Sequence, residues 1–321
     1  MKNGVKRTIR PVATAIISLS LFIARSQSFT LVSHPSIASK EPKSLQPVHS
    51  AALGLNAPTE QSSLSKACAR SAMSMVRNRG LEIREEGATP MPGGMTLYIK
   101  AGPDGTSVGD CPFAHFVRTV LHEKGLEYDL RPSTQETKPQ WLIDHYEGKM
   151  PALRHRKECY VESDVIAQYL DFFFQDPPLA GKKKLVAEAE EAVDGFFPAI
   201  ARYLKHTPDG DEEDEELKNK LEVALGRLED HLSDQEGKKK GPFLVGDGED
   251  FTLLDASLAP KLYHMETGLE AFKGGEGAVD VAGKFPAVKK YMESVFARPS
   301  FAEALYPKET VIWGWSNARG G

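Results

Sequence analysis

The stretch GDCPFAHFVRTVLHEKG, residues 109–125, decides the fold of the surrounding chain. Behind its cysteine and proline, apolar residues recur with the spacing of one buried helix face. These residues are Phe113, Phe116, Val117, Val120 and Leu121. Pro112 suits the first helical position because its missing N–H needs no partner there, and Gly125 ends the helix. The pattern therefore predicts a helix with Cys111 at its N-cap.

A cysteine at the start of a helix is a candidate nucleophile. Its sulfur faces the unpaired amides of the first turn and the positive end of the helix dipole. An ordinary thiol with a pKa of about 8.5 is only about 3% ionised at pH 7, so half ionisation needs roughly 2 kcal/mol. The dipole supplies about 0.3–1 kcal/mol, and we expect amide hydrogen bonds or a cation to supply the rest. The neighbouring Asp110 would oppose a thiolate, so we expect it to orient substrate or pass a proton.

The use of cysteine favours a reducing compartment. Three cysteines in 321 residues do not make a disulfide framework. Cys159 lies in the alternating strand pattern ECYVES, which predicts a core residue, with a resolving thiol as the alternative. Because the sequence has no C-x-x-C pair, the second thiol of a redox reaction must come from elsewhere, and a soluble thiol is the simplest donor.

Composition excludes several classes of protein. Hydrophobic residues make up 40% and charged residues 26% of the chain, which is typical of a soluble globular protein with room for two domains. A net charge of -5 and a pI near 6.0 argue against a nucleic-acid partner bound by phosphate neutralisation.

The first 92 residues are typical of a targeting presequence. Four basic residues precede an uncharged run, 11–24, that is too short to span a bilayer and resembles a signal-peptide core. Residues 26–84 are rich in Ser, Ala and basic residues, as in transit peptides. Together they resemble the bipartite presequence of algae with secondary plastids, which predicts the plastid stroma; a mitochondrion or the secretory route is the alternative. Cys68 lies in this segment, which we expect to be removed.

Residues 93–175 are predicted to form a small α/β domain, because strand and helix patterns alternate along them. The strands are MTLYIK, EYDLRP, PALRH and ECYVES; the helices are the one after Cys111, one over 138–145 and one with Ser163 as its N-cap.

A linker at Asp176-Pro177-Pro178 leads to a second domain, 176–321, that is predicted to be all-helical. Its helices are predicted at about 184–205, 212–233, 254–267 and 287–296. Thr252 and Asp255 are predicted to form a capping box. We expect the acidic run 209–216 to be a solvated loop and helix start without a binding role.

Several motifs resemble those of plant-type glutathione-dependent dehydroascorbate reductases, a family within the glutathione transferase superfamily. They are VGDCPFAHFVRTVLHEKG, KPQWL, EGKMPAL, ESDVIAQYL and GPFLVGDGEDFTLLDASLAPKLYHMETGL, and the resemblance spans about residues 94–316. It implies a thioredoxin-like domain followed by an all-helical one. It also implies an oxidoreductase that recycles ascorbate, an antioxidant reaction, with glutathione as co-substrate and with no bound cofactor or metal.

The resemblance also implies roles for individual residues. Cys111 matches the catalytic cysteine, with Asp110 beside it. The other matching residues are Lys100 and Asp110 for glutathione and ascorbate; Lys138, Met150, a cis Pro151, Glu162 and Ser163 for glutathione; and His264 and Trp315 for ascorbate. The sequence departs from the family in the loop AGPDGTSVG and in the acidic run, and both departures concern substrate access.

The expected mechanism begins with attack on, or reduction of, dehydroascorbate by the Cys111 thiolate, while Asp110 and His264 position the substrate and handle protons. The oxidised cysteine, as a sulfenic acid or an adduct, passes to a mixed disulfide with one glutathione, which a second glutathione reduces. We expect a monomer without membrane association. Two alternatives stay open: an omega-type thiol transferase with broad disulfide substrates, and a relative of the chloride intracellular channel proteins.

Overall fold

The computed structural model describes residues 94–233, 239–275 and 278–320. The presequence prediction and Cys68 lie outside the described residues. The first described part alternates strands and helices as predicted. Its elements are β1 Met95–Lys100, α1 Pro112–Glu123, β2 Tyr128–Ser133, α2 Gln140–Tyr146, β3 Ala152–His155, β4 Glu158–Val161 and α3 Ser163–Phe173.

The four strands form one mixed sheet in the order β2-β1-β3-β4. β1 pairs in parallel with β2 and antiparallel with β3, and β3 pairs antiparallel with β4. Leu97 and Ile99 of β1 and Val117 and Val120 of α1 are completely buried in the same core cluster. Four of the five stripe residues therefore join the core that holds the sheet, and this contact fixes the start of α1 at the end of β1. The prediction is wrong for Phe113, which lies in the first turn of α1 and is 39% exposed.

The remaining described residues are almost entirely helical. The helices are α4 Lys183–Val193, α5 Phe196–Lys205, α6 Glu212–Leu232, α7 Leu253–Phe272, α8 Val281–Lys284, α9 Pro286–Phe296, α10 Pro299–Ala304 and α11 Lys308–Ala318. The predicted α/β part followed by an all-α part is thus confirmed. The boundary at 175/176 falls between α3 and α4, and we propose it as the domain boundary.

Three local predictions are wrong. The single helix over 184–205 is two helices, because Gly195 adopts a left-handed backbone with φ of 72°. Ser163 is the first residue of α3 and not its N-cap, which is Glu162 with φ of 70°. The predicted helices also miss α8, α10 and α11. The capping box of Thr252 and Asp255 at the start of α7 is confirmed.

The acidic run 209–216 is only partly solvated. Asp214 is buried and forms an ion pair with the buried Lys273, which also pairs with Asp209. Arg319 adds a second cation to Asp209 at 2.9 Å. The run therefore anchors the start of α6 to the ends of α7 and α11. The expectation of a solvated loop and helix start holds for most of the run, and buried Asp214 is the exception. The acidic pattern alone could not predict these ion pairs, because Lys273 and Arg319 are distant in the sequence.

No helix within the described ranges is both long enough and apolar enough to cross a bilayer. Over the same ranges no group of three or more His, Cys, Asp or Glu side chains is arranged to hold a metal ion.

Candidate active site

Cys111 lies at the N-cap of α1, as the sequence predicts, with Pro112 in the first turn. The loop before it folds back on β1, where the amide of Gly109 donates to the carbonyl of Lys100 at 2.9 Å. A Cβ at residue 109 would lie 2.5 Å from that same carbonyl oxygen, so only glycine permits the approach. This close contact brings Asp110 and Cys111 beside the end of β1.

Lys100 and Asp110 form the charged pair next to the cysteine. The Lys100 Nζ lies 2.6 Å from Asp110 Oδ1; the lysine side chain is 48% exposed and the aspartate side chain 15%. The same Nζ lies 5.1 Å from the centre of the Trp313 ring, which provides a cation–π contact. The lysine therefore reaches from solvent into the site, whereas the carboxylate lies inside it.

Cys111 is partly exposed as a residue, and its side chain makes no capping hydrogen bond of normal geometry. Burial is the largest effect on its pKa and raises it, and the Asp110 carboxylate raises it further. The amides of Phe113 and Ala114 lower the pKa, as does Lys100, but less than burial raises it. The expected fall in the pKa of this thiol is therefore wrong in direction, although both groups expected to favour the thiolate are present.

A second group of predicted residues lies where β3 and β4 meet the start of α3. The Met150–Pro151 peptide bond is cis, as predicted. Ala152 pairs with Val161 at the end of the sheet, and Pro151 and Glu162 are the next residues beyond that pair. The ladder thus brings the Met150–Pro151 backbone to the N-terminus of α3.

The charged residues around this group are mainly solvated. Glu162 is exposed, and its carboxylate lies 3.3 Å from Lys149 Nζ, whereas Ser163 is buried. Lys138, in the loop between β2 and α2, donates to Gln135 at 3.0 Å. Its Nζ lies 3.4 Å from the position that a Cβ of Gly148 would occupy. The side chain therefore covers the turn just before Met150.

The helical half contributes a group of buried side chains to the site, His264, Tyr306 and Trp315, which we call the helical wall. His264 of α7 is 2% exposed, and its Nε2 lies 2.7 Å from the Tyr306 hydroxyl. Burial lowers the pKa of His264 to about 4, with Asp110 acting in the opposite direction. The ring is therefore neutral near pH 7. Its edge meets the Trp315 ring with centroids 6.0 Å apart.

Trp315 is buried, and its indole Nε1 has no hydrogen-bond partner among the described residues. Its position on α11 and that of His264 on α7 bring together the two residues that the resemblance assigns to ascorbate. The structure thus assembles Lys100, Asp110 and Cys111 at the end of the sheet, with His264 and Trp315 on the helical side.

Sequence reasoning missed three residues of this site. Tyr306 lies between α10 and α11, and burial raises its pKa, with Cys111 and Asp110 adding to the rise. No local pattern marks it, because its partner His264 is 42 residues away. Trp313 and Gly314 precede Trp315 in the motif VIWGW, where a glycine between two tryptophans in a helix was the available signal.

Two parts of the chain match models of known domain families. Residues 110–171 match "Glutathione S-transferase, N-terminal domain", and residues 183–294 match "Glutathione S-transferase, C-terminal domain". The α/β part and the helical part thus correspond, in the same order, to the two domains of that class.

Similarity to individual relatives identifies a narrower group within this class. The chain is 34% identical over 209 residues to the chloroplastic glutathione S-transferase DHAR3 of Arabidopsis thaliana, a match that covers 65% of this chain and 74% of the relative. It is 34% identical over 211 residues to glutathione S-transferase DHAR2 of the same plant, which covers 65% and 91%. The solved dehydroascorbate reductase of Chlamydomonas reinhardtii is 29% identical with a TM-score of 0.57, and covers 70% of this chain and 98% of that one. The chain belongs to the dehydroascorbate reductase group of the glutathione S-transferase family.

Proposed function

We propose that this protein reduces dehydroascorbate to ascorbate with two molecules of glutathione, through Cys111. The observation that carries the proposal is the position of this cysteine at the start of α1, next to the Lys100–Asp110 pair, in a chain 34% identical to plant relatives named DHAR. Glutathione serves as co-substrate, and the reaction needs no metal or bound redox cofactor.

Glutathione occupies the side of the site formed by β3, β4 and α3. The Met150 backbone, before the cis Pro151, pairs with the tripeptide as a strand would. Ser163 and the amides at the start of α3 hold a carboxylate of glutathione, since helix N-termini favour anions. Glu162 and Lys138 bind the charged ends of the tripeptide.

Dehydroascorbate lies between Cys111 and the helical wall. Lys100 and Asp110 contact its oxygens, and the Trp315 indole N–H, which has no acceptor among the described residues, donates to it. His264 is neutral near pH 7 because its pKa is about 4, so it orients the substrate through a hydrogen bond and carries no charge.

The chemistry balances with two glutathiones. The Cys111 thiolate forms an adduct with dehydroascorbate, or is oxidised by it to a sulfenic acid whose oxygen comes from water, in which case ascorbate leaves at this step. Glutathione then attacks the cysteine sulfur, which forms the mixed disulfide and releases ascorbate or, from the sulfenic acid, water. A second glutathione attacks the mixed disulfide, restores the Cys111 thiol and leaves as glutathione disulfide. Each glutathione supplies one of the two electrons that ascorbate gains.

Absorbance measurement of ascorbate formation tests the proposal. The full chain with Cys68→Ser should turn over dehydroascorbate in a glutathione-dependent manner, and Cys111→Ser should lose this activity while its circular dichroism stays unchanged. Ascorbate formation by the folded Cys111→Ser variant would reject the catalytic role. Reduction of a mixed disulfide without ascorbate formation would instead establish the omega-type thiol transferase.

We also propose that the protein is a monomer of the plastid stroma, with residues 1–92 as its presequence. Relatives named chloroplastic in Arabidopsis thaliana and in rice support the plastid, whereas another rice relative is named cytosolic. Fusion of residues 1–92 to a fluorescent protein tests the localisation. Fluorescence should appear in the plastid, and diffuse cytosolic fluorescence would reject the proposal.

A further inference from the structure

We propose that Gly314 is a positioning residue, whose missing side chain holds the Asp110 carboxylate beside Cys111. Three consecutive residues of α11 meet three residues of the site. Trp313 lies under Lys100, Gly314 lies against Asp110, and Trp315 meets the ring of His264. One turn of α11 thus contacts Lys100, Asp110 and His264 of the site.

The fit between Gly314 and Asp110 is tight. A Cβ added at residue 314 would lie 1.8 Å from Oδ2, 2.3 Å from Cγ and 2.9 Å from Cβ of Asp110. Carbon and oxygen atoms that are not bonded lie at van der Waals contact only near 3.5 Å, so alanine cannot be accommodated without movement. The carboxylate occupies the volume that any other residue would fill.

Rotation of the Asp110 side chain does not relieve the clash. Rotation about Cα–Cβ moves Oδ2 and Cγ but leaves Cβ in place, still 2.9 Å from the added methyl group. The other oxygen, Oδ1, is held by Lys100 at 2.6 Å, and the aspartate side chain is only 15% exposed. A side chain at 314 must therefore break the Lys100–Asp110 pair or move α11 away from the start of α1.

The consequence for the thiol has a defined sign. The Asp110 carboxylate raises the pKa of Cys111 and Lys100 lowers it. Displacing the carboxylate removes the first effect and frees the lysine to act on the sulfur. Gly314→Ala therefore makes the thiol more acidic while it removes a substrate contact, so faster alkylation accompanies slower turnover.

The chain offers two matched controls, each a glycine inside a helix without a left-handed backbone. A Cβ at Gly226 of α6 meets nothing within 4 Å, and one at Gly268 of α7 meets only the side chain of Leu204, at 2.5 Å. Gly226→Ala reports the general gain in helix propensity, and Gly268→Ala reports a packing clash against Leu204, which is not a residue of the site.

The experiment is a double-mutant cycle in the full chain with Cys68→Ser. Iodoacetamide alkylation of Cys111 is followed from pH 6 to 9, with the corresponding Cys111→Ser protein as the blank, and the melting temperature is measured for each variant. We expect Gly314→Ala to alkylate about threefold faster at pH 7.5, because a lower pKa of the Cys111 thiol increases its thiolate fraction. Added to Asp110→Ala, the same substitution should change the rate by less than about 1.5-fold, because the carboxylate that it displaces is already absent.

Melting temperatures complete the cycle. Gly314→Ala should lower the melting temperature more in the Asp110 protein than in Asp110→Ala, which removes the contacts at 1.8 and 2.3 Å but keeps the Cβ at 2.9 Å. Gly226→Ala should raise the melting temperature and Gly268→Ala should lower it, without altering alkylation. Equal effects of Gly314→Ala in both backgrounds, or no effect in either, would overturn the proposal. If Gly314→Ala does not fold, recovery of folding in Asp110→Ala/Gly314→Ala supports it and failure of both rejects it.

The inference rests on the proposed function only for its effect on turnover. Gly314→Ala and Asp110→Ala should each reduce kcat/KM for dehydroascorbate, and the double variant should be no worse than Asp110→Ala alone. Alkylation needs no substrate. A protein without dehydroascorbate turnover would therefore refute the proposed function while the alkylation cycle still decides the role of Gly314.

Discussion

The two described cysteines, Cys111 and Cys159, differ in their neighbours far more than in the direction of their pKa. Burial raises the pKa of both thiols. Cys159 of β4 is 2% exposed, its pKa is about 12, and only Arg154 across the sheet lowers it. Cys111 is partly exposed, and two backbone amides and Lys100 lower its pKa against the burial. Burial alone makes a thiol inert, whereas a helix start with a nearby cation can support catalysis.

The largest expected effect separates the two thiols directly. In the folded protein with Cys68→Ser, iodoacetamide should modify Cys111 at least about 1,000 times faster than Cys159 at pH 8. A thiol with a pKa of about 12 is ionised to only about 0.01% at that pH, and burial blocks the reagent as well. Peptide mapping by mass spectrometry after timed quenching measures both rates.

Denatured protein is the control for this comparison. In guanidinium the two cysteines should react at rates within about threefold of each other, because unfolding removes the burial and the helix start together. Equal labelling in the folded protein would show that Cys159 is accessible, and would restore the alternative that it is a resolving thiol.

A smaller effect tests what makes Cys111 different. Lys100 lowers the pKa of this thiol and Asp110 raises it, so Lys100→Met should slow alkylation near pH 7.5 and Asp110→Asn should accelerate it. We expect changes of about two- to fivefold, because the lysine is half exposed and solvent screens its charge. Stopped-flow alkylation over a pH series measures them, and Lys100→Arg, which keeps the charge, should behave like the parent protein.

Opposite signs for Lys100→Met and Asp110→Asn are the diagnostic result. If both substitutions slow the reaction, the pair acts by holding the loop before α1 in place and not by its charges. The alkylation rate of Cys159 should change in neither variant.

The sequence distinguished the two cysteines because both environments have local patterns. A proline after Cys111 and an apolar stripe behind it predict a helix start, and alternation around Cys159 predicts a buried strand position. The same local rules predicted the strands, α1 and the capping box of α7.

Features that depend on distant partners were not predictable in this way. The net rise of the Cys111 pKa results from burial by the assembled fold. Tyr306 meets His264 across 42 residues, and Asp214 meets Lys273 across 59. Gly314 was visible only as an odd residue in a helix until the structure placed Asp110 against it. Sequence periodicity reports which face of an element is buried, but not which side chain of another element it meets.

The smallest expected effect concerns the structural cysteine. Cys159 packs with Tyr98, Leu142 and Ala152, and Met150 is one of the partly buried residues packed against this cluster. Cys159→Ala removes one sulfur atom from it and should lower the free energy of unfolding by about 1 kcal/mol, since a small cavity remains. Cys159→Ser should lower the free energy of unfolding further, because a buried hydroxyl that lacks a partner adds a desolvation penalty. Chemical denaturation measures both effects.

The activity of Cys159→Ala should change little. Its kcat for dehydroascorbate should stay within about twofold of the parent because the site keeps its reactive groups. A rise in KM for glutathione with kcat unchanged would show that the cluster positions Met150. A large loss of kcat would show that Cys159 is needed for the reaction, and would reject its purely structural role.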